Sequence, residues 1–433
     1  MTNRAAGSRP FPDRPAGAVD DGMPFDHLVV VMMENHSFDN LLGALSRSRR
    51  DVDGLSFDAE GNATNQNPGT SGTPAVVKAF ALPNTAQATN VTQTWKATHE
   101  QIDGGSMDGF VRTAGAVEPM GYYTPEVLPF AYSLARHFTV ANRWFASVPG
   151  PTFPNRRFLL AGTAWGGTET NLRMLLDPPP PNGTIFDRLS EHKISWADYF
   201  TDVPSTLLIP SVILKHLDHH HRISRFFRDC QTGSLPAVSF VDPGVGVLSS
   251  LAGAIPGLPG GVREMLEAIG ARLGAPAETE EDPQDLYWGE SWAHRVVEAV
   301  LRSPAWSRTL LVYTYDEHGG YYDHVPPPAA IPPDPIRPDP PPDPPGGYDL
   351  YGPRVPAIVV SPYSKPAGVT DVVHDHTSVL ATIEAKWNLP ALTDRDANAA
   401  TVLDFLDPEH PALLEPPVID GPSRTGPSGP VRP

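Results

Sequence analysis

The 433-residue sequence has one cysteine, no long apolar run and few basic residues. The lone thiol, Cys230, excludes an intrachain disulfide, and because it lies beside no reactive motif it reads as a semi-buried structural residue. No stretch approaches the ~18 apolar residues of a membrane-spanning helix, which excludes a span and leaves at most transient contact with a membrane surface. Lys and Arg number 32 against 50 Asp and Glu, for a formal net charge of −18, and no basic run appears. That balance excludes a nucleic-acid backbone as partner. The first 22 residues show neither an apolar signal core nor a twin-arginine pair, so no export signal is read. As it stands the sequence predicts a cytoplasmic protein, secreted or periplasmic if a leader has been removed.

What is abundant is proline and glycine, 51 and 37 residues, which implies long ordered loops rather than a helical bundle. Residues 1–22 and 415–433 are rich in Pro, Gly, Arg and Ser and are predicted to be disordered tails around one domain, 23–414. Within it, strands are predicted at 28–33, 194–200, 235–241, 310–315 and 355–361. Helices are predicted at 37–46, 125–138, 154–161, 184–192, 289–303 and 376–388. This alternation argues for a layered α/β domain. Residues 56–95 and 244–282, the latter around a helix-like Val262–Leu273, read as surface insertions. The proline-rich run 326–345 reads as a stiff loop beside the site, in preference to a ligand for a proline-recognising partner.

Two segments nearly 300 residues apart carry the chemistry. Glu34-Asn35-His36-Ser37-Phe38-Asp39 and Asp316-Glu317-His318-Gly319-Gly320 each follow a short apolar, β-branched run of the kind that forms buried parallel strands. Reactive groups of open α/β sheets gather at the carboxyl ends of strands. If the two strands are neighbours, Glu34, Asn35, Asp316 and Glu317 converge, and three buried acids cannot all ionise without a compensating cation. A bound metal is the simplest one. A third segment, Val148-Pro149-Gly150-Pro151-Thr152-Phe153-Pro154-Asn155-Arg156-Arg157, reads as a helix start. It places Thr152 at an N-terminus suited to a phosphate anion. A threonine there is ordinarily a cap; beside a carboxylate metal site it could instead serve as a nucleophile.

Those three motifs, with Arg354-Val355-Pro356 and His376-Thr377-Ser378, resemble the phosphoesterase family of non-specific and phosphatidylcholine-type phospholipases C and related acid phosphatases, from about residue 25 to 400. The resemblance implies a three-layer α/β/α sandwich with a largely parallel central sheet, alkaline-phosphatase-like. It implies a metal held at Glu34, Asn35, Asp316 and Glu317, and a phospho-enzyme formed on Thr152. Asn155 would then hold a phosphate oxygen, and His99 or His376, at matching positions, would protonate the leaving alcohol. His36, His318, Asp323 and His324 are expected to brace the loops. Oxygen ligands point to one divalent ion, Ca²⁺, Mg²⁺ or Mn²⁺, with Zn²⁺ open. Thr152 and Asn155, where the acid phosphatases carry Ser and Asp, lean the expectation towards phosphodiesters and a phospholipid head group. A phosphomonoesterase of broad range is the alternative, and a non-catalytic, metal-stabilised binding protein the second. One departure stands out: Glu281-Asp282-Pro283 occupies the place of the family's His-Pro. His219-His220-His221 reads as a solvated face rather than a metal tract. Tyr122, Tyr123, Tyr287, Trp288 and Trp292 read as packing residues rather than a cage for a choline-like cation.

Overall fold

The computed structural model describes residues 3–87, 91–244, 278–281 and 283–424. The predicted helix at Val262–Leu273 and most of the 244–282 insertion lie outside them. Eight strands form the main sheet: β1 (His27–Met33), β2 (Thr139–Ala141), β3 (Trp196–Phe200), β4 (His220–Arg222), β5 (Val238–Asp242), β6 (Thr309–Tyr315), β7 (Ala357–Val360) and β8 (Val369–Thr370). Their order is β8-β2-β7-β6-β1-β5-β3-β4. All pairings are parallel except those of β7, which runs against both of its neighbours. The apolar runs that announced β1 and β6 lie side by side at the centre, buried on both faces, with Met33 opposite Tyr315.

Two sets of helices cover the sheet. Phe38–Leu42, Pro129–His137, Ile223–Thr232 and Leu286–Leu301 pack on one another, and Thr152–Ala161, Ile185–Glu191 and Thr377–Trp387 form the second set. The result is the three-layer α/β/α arrangement. Trp144, Trp292 and Phe110 are among the largest side chains wholly inside. No helix among the described residues is long and apolar enough to cross a membrane.

Four expectations need correction. Residues 4–20 are not a loose tail, since Gly7 and Asp20 donate backbone hydrogen bonds to Ala391 and Lys386. The described part of the C-terminal segment also docks, with Ile419 buried and Asp420 paired to Arg136. The helix predicted from 125 begins only at Pro129, because the residue before a proline is pushed out of the helical region and Leu128 sits at φ −117°, ψ 64°. His219–His221 is not a solvated face throughout: His219 stacks on Trp196 at 4.1 Å, and the His220 side chain is buried against Thr206. As expected, Cys230 is buried, and burial pushes its thiol up to about 12.

Candidate active site

Glu34 and Asp316 each follow the last residue of a strand, β1 and β6, so the parallel register of Met33 with Tyr315 sets them side by side. Asp316 N–H donates to Met33 O at 3.2 Å, continuing the ladder one step past the strands. The loops beyond can meet only because of unusual backbone. Asn35 takes φ 103°, and Gly319 at φ 65° lies so close that a Cβ there would sit 2.0 Å from Asn35 O. Gly320, at φ 80°, also presses close, since a Cβ there would lie 2.5 Å from Thr92 O. The glycine pair of the second motif is what lets the two acidic loops touch.

The Thr152–Ala161 helix starts at Thr152 itself, with Pro151 as its cap residue. Thr152 Oγ1 donates to Asn35 Oδ1 at 3.3 Å, joining the third motif to the first. One turn along, the Arg156 guanidinium lies between the acids: Nε donates to Asp316 Oδ2 at 3.0 Å and Nη2 lies 3.2 Å from Glu34 Oε1. Two spaces open on Thr152. A cleft of about 620 Å³ is walled by Thr92, Trp95, Glu169, Glu281 and Asp343; a cavity of about 30 Å³ is lined by Glu34, Arg156, Ser205 and Asp242.

The electrostatics are those of acids lacking a full counter-charge. Burial, opposed by Arg156, raises the Glu34 and Asp316 carboxyls. Burial also raises Glu317 and, reinforced by Asp198, Asp242. Glu281 is pushed up to about 8 by burial and then by Glu34, Asp316 and Glu317. Burial works against the charge on Arg156, but Asp316 and Glu34 outweigh it. Two buried atoms, Asn35 Nδ2 and Glu317 Oε1, have no hydrogen-bond partner. A set of three carboxyls and one amide oxygen, with Glu317 Oε1 orphaned, fits a hard divalent cation by type. Its spacing is another matter. Among the described residues, the His, Cys, Asp and Glu atoms gathered within 4.8 Å of one another are those of Asp39, Asp323 and His324, not Glu34, Asp316 and Glu317.

The Asp39 cluster has the closer spacing, but the Arg354 guanidinium already pairs with its carboxylates. Its Nε and Nη2 meet Asp323 at 2.9 and 3.2 Å, and Nη2 lies 3.3 Å from Asp39. His324 Nδ1 is 2.7 Å from Asp39 Oδ2. These residues tie the Phe38 and Asp323 loops together. His36 also braces: one ring nitrogen meets Asn40 Oδ1 at 2.7 Å, the other donates to Glu280 O at 3.0 Å, and its ring stacks on Tyr321. His318 Nε2 donates to the Gln101 side chain, and burial lowers its pKa to about 3, so it is neutral.

The residue expected to hold a phosphate oxygen, Asn155, and the expected proton donors, His99 and His376, sit as follows. Asn155 turns into its own loop, accepting from Val148 N–H at 3.0 Å and donating to Gly150 O at 2.8 Å, so it shapes the turn before Thr152 rather than facing the cleft. His376 is wholly buried; Nε2 donates to Asp316 O at 2.7 Å and Nδ1 accepts from Trp144 at 3.5 Å, while burial lowers its pKa to about 4. It holds Asp316 in place. His99 donates from Nδ1 to Trp95 O at 2.7 Å, and burial lowers its pKa, leaving a neutral ring whose other nitrogen is an acceptor. Tyr122, Tyr123 and Trp292 are core residues, and Arg424 lies 4.8 Å over both Tyr287 and Trp288, so these five rings form no open cage. Arg156, Asp242 and Glu281 carried no role in the sequence reading; the i, i+4 spacing of Thr152 and Arg156 was the signal for the first.

The phosphoesterase family model matches residues 25–390, which takes in every motif of this site. The chain belongs to the phosphoesterase family. It is therefore a hydrolase acting on phosphoester bonds. Non-specific phospholipase C1 of Arabidopsis thaliana is 33% identical over 87% of this chain and 70% of its own length. Non-hemolytic phospholipase C of Pseudomonas aeruginosa is 27% identical over 84% of this chain and 54% of its own. Among solved structures, a protein in the alkaline phosphatase superfamily from Vibrio parahaemolyticus is 11% identical and aligns with a TM-score of 0.37 over 84% of this phosphoesterase and 78% of that chain.

Proposed function

We propose that this phosphoesterase is a metal-dependent phosphodiesterase of phospholipase C type that passes its phosphoryl group through Thr152. The observation that carries the reading is the Thr152 hydroxyl at a helix start on the floor of the 620 Å³ cleft, 3.3 Å from Asn35 Oδ1 and beside two strand-end acids. The names of the relatives support the diester over the monoester. Glu34, Asn35, Asp316 and Glu317 would hold one divalent ion, which supplies charge neutralisation and eases loss of the Thr152 proton.

The protein's own residues do the rest. Pro151 and the Asn155 brace fix the turn so that Oγ1 faces the cleft and attacks phosphorus in line, displacing the alcohol of the diester. The positive end of the helix favours the charge developing on the non-bridging oxygens. Glu281, on the cleft wall with a carboxyl that burial raises, would give its proton to the leaving alcohol. Water then attacks the phospho-threonine and breaks its P–O bond, releasing the phosphorylated head group. The water's proton returns to Glu281, and Thr152 Oγ1 takes back from solvent the proton it lost. Thr152→Ala tests the nucleophile: turnover should fall at least ~10³-fold with unfolding unchanged. Assays of wild-type protein on a phosphocholine diester and on a phosphomonoester test the substrate class. Faster monoester cleavage would make the enzyme a phosphatase.

A further inference from the structure

Among the described residues the buried acids outnumber the cations that face them, and the one full positive charge there is a side chain the reaction does not consume. Arg156 is 5% exposed and reaches five groups. It bridges Asp316 and Glu34 at 3.0 and 3.2 Å, meets Ser205 Oγ at 3.3 Å, and donates to the carbonyls of Met32 and Met33 at 3.4 and 3.3 Å. The carbonyl contacts anchor the fork to the end of β1, so its position between the carboxylates is fixed by backbone as well as by charge. It enters from the helix that carries Thr152, and its lining of the 30 Å³ cavity puts it at the wall of the space beside that hydroxyl. Glu34, Asp316 and Glu317 do not close to metal-ligand spacing, and a guanidinium stands between two of them.

We propose that Arg156 is the resident counter-cation of this site: it holds Glu34 and Asp316 apart and in place before a divalent ion binds, and competes with that ion for them. The proposal rests on the metal reading above. Its physical basis is that removing a fixed positive charge a few ångströms from a cation site strengthens cation binding, while leaving two buried carboxylates uncompensated when the site is empty. A residue that merely packed would affect the empty and filled protein alike.

The test titrates full-length wild-type and Arg156→Met protein with Mn²⁺, Ca²⁺ and Zn²⁺ separately, by calorimetry, and melts each with and without the ion. Arg156→Met is expected to bind the ion at least about tenfold more tightly. Its melting temperature should fall without ion and recover towards wild type when the site is saturated. Arg156→Lys keeps the charge on a shorter stem that cannot bridge both acids; it should gain about two- to fivefold in affinity and serves if the methionine variant does not fold. Glu34→Gln added to Arg156→Met should restore the stability of the ion-free protein. Unchanged or weaker ion binding in the variants, with wild type binding normally, overturns the role of Arg156 alone. Absence of binding in all of them removes the metal reading and this proposal together, whereas binding in the variant only supports it.

Discussion

His324 shows how much a single residue holds beneath the site. Burial opposes its charge, but Asp39 at 2.7 Å and Asp53 at 3.2 Å outweigh burial and the nearby Arg354, pushing its pKa up to about 10. A folded pKa above that of an unfolded histidine means a stabilisation complete below pH ~6.5 and lost as the pH rises through 10. The full shift sets a ceiling of roughly 5 kcal/mol; with the side chain 24% exposed, about 2 kcal/mol is expected after screening. Denaturant melts of wild type and His324→Gln across pH 6 to 10 check this. The gap between them should close with rising pH, and a constant gap would show that the imidazole only fills space. That Glu34, Asn35, Asp316 and Glu317 would converge near Thr152 was legible because they follow two strands, and Thr152 starts a helix, whose patterns were plain. Arg156 was not, since an arginine in a helix gives no sign of facing inward until its carboxylate partners are placed. Asn155 and His376 were legible as part of the site but not in their roles, because hydrogen-bond partners on distant loops decide them.

At the scale of elements, strand positions could be read from hydropathy, but not strand direction. Ala357–Val360 looks like its parallel neighbours in sequence and runs the other way, because an apolar run carries no mark of its polarity. The Trp95–Ile102 helix was hidden at the edge of a polar insertion, although Thr94 caps it by accepting from Ala97 N–H. The glycine pair after β6 was visible as a motif, while its purpose depends on the other loop. Gly319→Ala would put a methyl against Asn35 O and force an alanine to φ 65°. We expect a loss of about 2–4 kcal/mol in stability, with Asn35 displaced from Thr152. Chemical denaturation and turnover of the variant would check it; native stability and rate would mean that the loops do not need this close approach.

The whole molecule is closed by a strap that composition disguised. Residues 3–20 have the Pro, Gly and Arg content of a free tail, and none of them is buried. What orders them is backbone hydrogen bonding to a segment almost 400 residues away, which no local pattern can announce. Arg4 exchanges two bonds with the Asn398 amide, at 2.8 and 2.7 Å, and Ala6 N–H donates to Asp394. The central clamp is Asn388, which caps the Thr377–Trp387 helix at φ 45°. Its side chain accepts from Phe11 N–H at 2.9 Å and donates to the carbonyls of Phe11, Arg14 and Pro15 at 3.0 Å. That helix begins beside His376, which holds Asp316, so the strap stiffens the far end of an element whose near end supports the acids. Asn388→Gly isolates the clamp, because glycine accepts the left-handed conformation without strain and removes only the side-chain bonds. Global stability should fall by about 1–2 kcal/mol. A protease that cuts on the amino side of aspartate should open the Pro12–Asp13 and Val19–Asp20 bonds well before the rest of the chain, while turnover on the diester stays near wild type. Bonds before Asp13 and Asp20 cut no faster in the variant than in wild type would mean that the strap is held by something other than Asn388.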